Sequence, residues 1–272
     1  MKLWRVVLPV SAVFIFGGCA QFDKDLGALC DLTSRELEAA PEARAAQIQR
    51  DILADFSPES EAGVAIKPAL ELIDPTSFYE VIRESAKEEG HASWECAAMQ
   101  KLEARARADK KADMCNGVGA SMNKLAFALV PLMRAEIPAV NKEIVPPEKQ
   151  LEVLQTFDRE ATERLRTLAS NSDDAYYKKK DELLEVLGCK EAPRSETACD
   201  DLQVALPTLT NNSRVVALGT AYGVALKRAG LDPSSFQAKF QLRMQQVAAQ
   251  KMQGAIEGPL GDITRLTGCD FK

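Results

Sequence analysis

The stretch DPTSFYEVIRESAKEEGHASWEC at residues 74–96 contains a complete helix signal and ends on a cysteine. Asp74 followed by Pro75 is typical of a helix N-terminus, because aspartate caps free amides and proline fits the first turn. Apolar residues then recur at helical spacing on one face, at Phe78, Val81, Ile82 and Ala86. Gly90 provides a C-terminal stop. The stretch therefore predicts a helix with a cysteine just beyond its end.

The same kind of signal continues on both sides of this stretch. After Pro41 the pattern predicts a helix with one apolar stripe, at Ala45, Ile48, Ile52 and Phe56. A further helix is predicted from Ser93 through 101–111, and the apolar run 125–133 is predicted to be buried and to break at Pro131. Residues 138–147 hold three prolines and no periodicity, which predicts a connection.

The last part of the chain is also predicted to be helical. A stripe is expected at Leu151, Leu154, Ala161, Leu165 and Leu168, and a second at Tyr176, Leu183, Leu184 and Leu187. The turn 171–174 between them predicts an antiparallel helical hairpin that ends at Gly188. Asn211-Asn212-Ser213 is expected to cap an apolar helix over 215–226, and Asp232-Pro233 to begin another. Period-two alternation with hairpin dipeptides is lacking, so we predict an all-α fold.

The N-terminal segment identifies how the chain is expected to be held in the cell. Lys2 and Arg5 precede the uncharged run 6–16, and Gly17-Gly18 then lead to Cys19. This order resembles the lipobox of bacterial lipoproteins, although Phe16 stands where that motif usually has leucine. The resemblance implies that residues 1–18 are a cleaved signal peptide and that Cys19 becomes a lipid-modified first residue. The alternative is an ordinary signal peptide with an unmodified thiol at Cys19.

The resemblance also implies a compartment. Ala20, rather than aspartate, follows Cys19, which in Gram-negative lipoproteins favours the outer membrane. Several acyl chains hold a protein firmly on a bilayer, because each buried methylene contributes about 0.8 kcal/mol. The sequence thus predicts a cell-envelope protein with the membrane as its first partner.

The cysteine count agrees with lipidation of Cys19. The chain has 7 cysteines, and setting Cys19 aside leaves an even set, which in an exported protein is typical of disulfides. One interpretation pairs them in chain order, as Cys30–Cys96, Cys115–Cys189 and Cys199–Cys269. The other has a local Cys189–Cys199 bond, which leaves Cys115 for Cys269.

In-order pairing suggests a disulfide-stapled helical bundle built from tandem helical modules. The predicted boundaries are a lipidated tether at 19–29 and modules at 30–112, 113–192 and 193–272. Trp94-x-Cys96 after the glycine-terminated helix, with Cys30-Asp31 upstream, resembles helical envelope lipoproteins of Gram-negative bacteria with paired cysteines. That resemblance implies no particular activity.

Functional chemistry is sparse in this sequence. With 34 basic and 40 acidic side chains, the chain does not suggest a nucleic-acid partner. Its 1 histidine, His91, could pair with Cys96 as base and nucleophile, but oxidised cysteines favour a solvent-facing turn residue instead. Gly117-x-Gly119 is interpreted as a flexible helix entry, and one tyrosine of Tyr176-Tyr177 is expected to turn into the core. No catalytic residue, metal ligand or cofactor is predicted.

Two functions are therefore compared. The first is a non-catalytic, lipid-anchored envelope protein that works by binding another envelope protein or as a structural module. The second is a carrier of an apolar small molecule or lipid, with a cavity between helices lined by Phe127, Phe236, Phe240 and Met244. A cell-wall-active enzyme is the third and weakest hypothesis, because no pair of acidic residues stands out.

Overall fold

The computed structural model describes residues 18–171, 174–210 and 213–271, apart from the side chains of Gly18, Cys19 and several residues of the last helix. Within these residues the secondary structure is helical and contains no strand, which confirms the all-α prediction. None of the described helices combines the length and apolar character that a bilayer crossing requires.

The chain forms two compact units, and the boundary between them falls between Lys111 and Ala112. The helices up to and across this boundary are α1 (Gly18–Ala39), α2 (Ala45–Asp55), α3 (Glu61–Leu70), α4 (Phe78–Glu88) and α5 (Ala97–Phe127). The second unit continues with α6 (Leu129–Ile144), α7 (Gln150–Ser170), α8 (Ala175–Val186), α9 (Ala198–Leu209), α10 (Ser213–Arg228) and α11 (Pro233–Thr267). Short 3₁₀ turns at Pro75–Ser77 and Pro147–Lys149 lead into α4 and α7.

Helix α4 has the form that the sequence predicts. Asp74 accepts a hydrogen bond from the amide of Thr76, the apolar face of α4 buries Phe78 and Ile82, and Gly90 adopts a positive φ of 91°. The stripe of α2 is likewise buried in full, although α2 begins at Ala45 rather than at Pro41. Strong periodicity therefore located both helices, and the Asp74 and Gly90 signals marked the two ends of the α4 segment.

The segment after Cys19 is a helix and not a tether. Residues 19–29 belong to α1, and Phe22, Leu26 and Leu29 are each at most 3 % exposed. These three residues recur at the spacing of one helical face, and their burial in the core outweighs the absence of a capping signal. The prediction of a tether at 19–29 is wrong, while residues 1–17 lie outside the described part of the chain.

The predicted connection at 138–147 is also wrong for most of its length. Helix α6 continues through Pro138 to Ile144. Its inner face buries Ile137, Val140 and Ile144. Burial of that face outweighs the hydrogen bond that Pro138 cannot donate. The break predicted at Pro131 lies earlier, between Phe127 and Leu129, because proline is tolerated in the first turn of α6.

The predicted hairpin of α7 and α8 is replaced by other pairings. Helix α7 packs along α10, and α8 packs along α9. The inner face of α7 carries Val153, Phe157 and Ala161, whereas Leu151 of the predicted stripe is 69 % exposed. Ala161 belongs to the predicted stripe, and Leu154 and Leu165 pack against the same core, so the stripe is wrong mainly at Leu151. The buried face includes Phe157, which adds a large apolar area.

The six cysteines pair in chain order in the structure. Cys30 bonds to Cys96 in the first unit, and Cys115–Cys189 and Cys199–Cys269 lie in the second. The Cα atoms of the pairs are 5.8, 5.6 and 5.2 Å apart, and the bonds close segments of 66, 74 and 70 residues. The local Cys189–Cys199 alternative is not the one formed.

Three hydrophobic clusters make up the cores. One lies in the first unit, between Phe22 and Ala106 in sequence. The second unit has two, one around α6, α7 and α10 and one around α5, α8 and α9. Both of these draw on residues from either side of the predicted boundary between 192 and 193. The division of this unit into the modules 113–192 and 193–272 stays a prediction.

A buried carboxylate joins α1 to the start of α3. Asp25 is 5 % exposed and accepts hydrogen bonds from the backbone amides of Glu59 and Ser60, at 3.0 and 2.9 Å, and from the Ser60 hydroxyl. Ser60 in turn caps α3 by accepting from the amide of Gly63. Burial acts to raise the pKa of Asp25, but the bonds from Ser60 and Glu59 outweigh it, so the pKa lies below the ordinary 3.8.

We expect Asp25→Asn to lower the unfolding free energy of the first unit by about 2 kcal/mol at pH 7, because the carboxylate accepts charge-assisted hydrogen bonds. Since its folded pKa is depressed, the contribution of Asp25 is present above the unfolded pKa of 3.8 and is lost as the pH falls through the folded pKa. The difference between wild type and variant should therefore shrink in acid. Urea unfolding followed by Trp94 fluorescence measures it, because Trp94 lies in this unit.

Asp31→Asn is the matched control, since Asp31 lies on the same helix and is exposed. This variant should unfold like the wild type at both ends of the pH range. Equal stability of Asp25→Asn and wild type at pH 7 would contradict the proposed role of the carboxylate.

Candidate functional site: an apolar groove on helix α10

The second unit has a groove between α6, α10 and α11 with a volume of about 730 Å³. Its apolar wall, which we call the apolar groove, is formed mainly by Met133, Val215, Val216, Leu226, Pro233 and Phe240. Ligand pockets in proteins commonly enclose about 300–1,000 Å³ and have predominantly apolar walls. In size and composition the groove is therefore a candidate binding site.

Two glycines of α10 leave the space that makes the groove. A Cβ atom on Gly219 would come within 3.3 Å of the Phe240 ring, so the glycine lets Phe240 lie close to the helix without a shift of either residue. A Cβ atom on Gly223 would meet no atom within 4 Å. Gly223 therefore lies beneath empty space, which a larger side chain at that position would fill.

The inner wall is held in place by aromatic packing and one hydrogen-bonded chain. Tyr222 stacks on Phe240 with ring centroids 5.3 Å apart, and it meets the edge of Phe157 at 6.0 Å. The Tyr222 hydroxyl donates to Asn141 Oδ1 at 3.3 Å, and Asn141 Nδ2 donates to the carbonyl of Gln150. Burial raises the pKa of Tyr222, which keeps the hydroxyl protonated and able to donate. The side chains of the inner wall are thus held in place by their neighbours.

The polar residues of the groove are few and none of the described ones is acidic. Thr220, Lys227, Gln241 and Gln245 complete the lining. Lys227, Gln241 and Gln245 are exposed, so they form its outer rim. A mostly apolar wall with a small number of polar groups on one edge suits binding and orientation of an amphipathic molecule.

The structure brings only part of the predicted cavity together. Phe240 lines the apolar groove and is 6 % exposed. Phe127 contacts the core of the second unit and lies under the guanidinium of Arg214, away from the groove lining. The side chains of Phe236 and Met244 lie outside the described residues. The glycines of α10 were missed because a glycine in a helical pattern signals a packing constraint only when its neighbours are known.

A second unusual cluster surrounds Arg214, which is only 1 % exposed. Its guanidinium carbon lies 4.6 Å from the ring centroids of both Phe127 and Tyr176. Its Nε and Nη2 have no hydrogen-bond partner, and among the described residues no carboxylate pairs with it. Tyr176 is fully buried, which confirms that one residue of the tyrosine pair turns into the core. Nothing in the apolar pattern of α10 indicated that its second residue would be a buried cation.

Lys180 lies on the edge of this cluster. Its Nζ and the Tyr176 hydroxyl both donate to Asn123 Oδ1, at 2.9 and 2.7 Å. Burial lowers the pKa of Lys180. The basic and aromatic residues of 176–180 thus support packing of α8 on α5.

The sites that the sequence raised for catalysis are not assembled. His91 Nδ1 lies 2.7 Å from Asp23 Oδ1, and the sulfur of Cys96 is bonded to Cys30. The expectation of a solvent-facing His91 is wrong, since its side chain is 13 % exposed and its ring packs 5.7 Å from that of Phe22.

The glycine pair before Ala120 has a structural role. Gly117 and Gly119 lie inside α5, so the predicted helix entry is wrong. A Cβ atom on Gly117 would approach Leu266 Cδ1 to 2.8 Å, so a larger residue at this position would have to displace the end of the Leu266 side chain. Within the described residues no group of three or more His, Cys, Asp or Glu side chains could hold a metal ion.

Comparison with known proteins adds no assignment. No family model, curated protein or solved structure matches the chain. Function is therefore inferred from the groove and from the sequence features of the chain.

Arg214 provides a test of the second unit's core. We expect Arg214→Ala to lower the unfolding free energy by about 2–4 kcal/mol, because it leaves a cavity between Phe127 and Tyr176. Arg214→Met keeps an unbranched apolar stem and removes a buried charge without a counter-ion, so it should stay within about 1 kcal/mol of wild type. Differential scanning calorimetry and urea unfolding compare the variants. A methionine variant as unstable as the alanine variant would show that the charge itself stabilises the core.

Proposed function

We propose that the protein is a non-catalytic, lipid-anchored protein of the cell envelope that binds an apolar small molecule or lipid in the apolar groove. The observation that carries this proposal is the open space above Gly223, within a groove of about 730 Å³ whose wall is apolar. An apolar wall that faces water is unfavourable, because the free energy falls when apolar surface is removed from water. A bound apolar ligand would cover that wall.

The wall supports binding without rearrangement. The Tyr222 and Phe240 rings are packed against each other, and Asn141 fixes the Tyr222 hydroxyl. A ligand that enters such a preformed wall does not have to order it first, which reduces the entropy cost of binding. A preformed wall favours the role of a carrier or receptor over transient binding of varied partners.

The anchor and the compartment form the second part of the proposal. Acylation of Cys19 would hold the protein at the outer membrane of a Gram-negative bacterium, after removal of residues 1–18. Disulfides form and persist in oxidising compartments such as the periplasm, and the three bonds of the structure agree with that location. A protein held beside a bilayer has apolar ligands close at hand.

Binding to another envelope protein, the first hypothesis from the sequence, stays a prediction. The most exposed large apolar side chains among the described residues are Leu72, Val204 and Leu151, at 89, 78 and 69 %. They lie on different elements, and single exposed apolar residues are normal on protein surfaces. We therefore favour ligand binding in the groove over a protein interface as the function.

The test replaces the glycine beneath the empty space. Gly223→Leu should lower the affinity for a neutral apolar fluorophore such as N-phenyl-naphthylamine at least tenfold, because the leucine occupies the ligand's volume. The substitution meets no atom of the wall near its Cβ and replaces glycine inside a helix, so the fold should be retained. Fluorescence titration of the two purified proteins measures the affinities.

Gly254→Leu is the matched control. Gly254 lies in α11, a Cβ atom there also meets nothing within 4 Å, and the residue does not line the groove. This variant should bind the fluorophore as wild type does. Equal loss in both variants, or no loss in Gly223→Leu, would show that the probe binds elsewhere and would contradict the proposal.

A further inference from the structure

We propose that the ligand of the apolar groove is a long-chain fatty acid, with its chain along α10 and its carboxylate at Lys227. This inference rests on the proposed function and adds the chemical class of the ligand. Lys227 is exposed at the last turn of α10 and is the one cation among the described residues that line the groove. An ammonium on the rim of an apolar groove favours an anionic group there.

Of the described cations near the groove, Arg228 and two on α11 have carboxylate partners, whereas Lys149 donates to the carbonyl of Ala229. Arg228, the next residue, lies 2.9 Å from Glu160. Arg243 and Lys251 of α11 both pair with Glu136, at 3.4 and 3.0 Å, and the Lys251 ammonium and then Arg243 hold the pKa of Glu136 below its usual range. Arg228 thus has a carboxylate of its own, and Arg243 and Lys251 share one.

Lys227 differs from them. Among the described residues no carboxylate lies within ion-pair distance of its ammonium, and no acidic side chain lines the groove beside it. The uncompensated positive charge thus lies at the groove and not merely somewhere on the surface of α10. A ligand's anionic group would complete the pairing that Glu160 and Glu136 provide for the neighbouring cations.

The rest of the rim favours a single small anionic head. Gln241 and Gln245 on α11 can donate amide hydrogens to a carboxylate beside Lys227. A zwitterionic phospholipid head would bring a second cation next to this lysine, which costs energy because like charges repel. A fatty acid has one anionic group and an otherwise apolar body, and this matches one lysine, two amides and an apolar wall.

Isothermal titration calorimetry with palmitate and hexadecanol separates charge from chain, because the two ligands have equal chain lengths. Wild type should bind palmitate more tightly than hexadecanol at low salt. Lys227→Gln should weaken palmitate binding about fivefold, as expected for one screened ion pair, and leave hexadecanol binding unchanged. Lys142→Gln, which removes the same charge from exposed Lys142 of α6 outside the groove lining, should leave both unchanged.

Each other outcome overturns a defined part of the account. If wild type binds neither ligand, the proposed function fails and this inference fails with it. If both ligands bind wild type and Lys227→Gln equally, the groove binds apolar chains and only the fatty-acid assignment fails. If a lysophospholipid binds more tightly than palmitate, the fatty-acid assignment fails and the head group that Lys227 binds is a phosphate. If Lys227→Gln still binds palmitate more tightly than hexadecanol, Lys227 does not bind the carboxylate and another cation does.

Discussion

The constraint on which the fold depends is covalent: three disulfides each close a segment of 66 to 74 residues. The described helices have no sheet to pack on, and a helix of ordinary length is marginally stable alone. Closing loops of this size removes conformations from the unfolded chain, an effect worth roughly 4 kcal/mol per bond in the chain-entropy model. The bonds therefore let short helices such as α3 and α8 persist around cores of modest size.

Within that scaffold, α10 determines the functional surface. It packs along α7 through a buried face that includes Ala217, Ala221 and Ala225, while Gly219 and Gly223 leave space toward α11. Small residues on one helix thus serve two purposes: they allow close packing on one side and leave a groove on the other. The stacked Tyr222 and Phe240 rings close the inner wall, so the groove is a consequence of how α10 is buried. The groove therefore follows from the packing of α10.

The sequence predicted those parts of the fold that depend on local signals. Clear stripes located α2 and α4, a glycine stop marked the end of α4, and the in-order pairing of the cysteines was one of the two that the sequence left open. It failed where burial outweighed local preference, as at Pro138 inside α6 and at residues 19–29, which pack as a helix. The partners of α7 and α8 and the buried Arg214 depend on contacts between distant segments, which periodicity does not contain. For the groove, only Phe240 was foreseen.

The central claim is that one sulfur carries lipid while the other six hold the helices together, and mass analysis of the mature, unreduced protein from its membrane tests it most directly. The account predicts an N-terminal peptide that begins at Cys19 and carries a diacylglyceryl group and an acyl chain. It also predicts three cross-linked peptide pairs, joining Cys30 to Cys96, Cys115 to Cys189 and Cys199 to Cys269. An unmodified thiol at Cys19, or a peptide that joins Cys189 to Cys199, would contradict it.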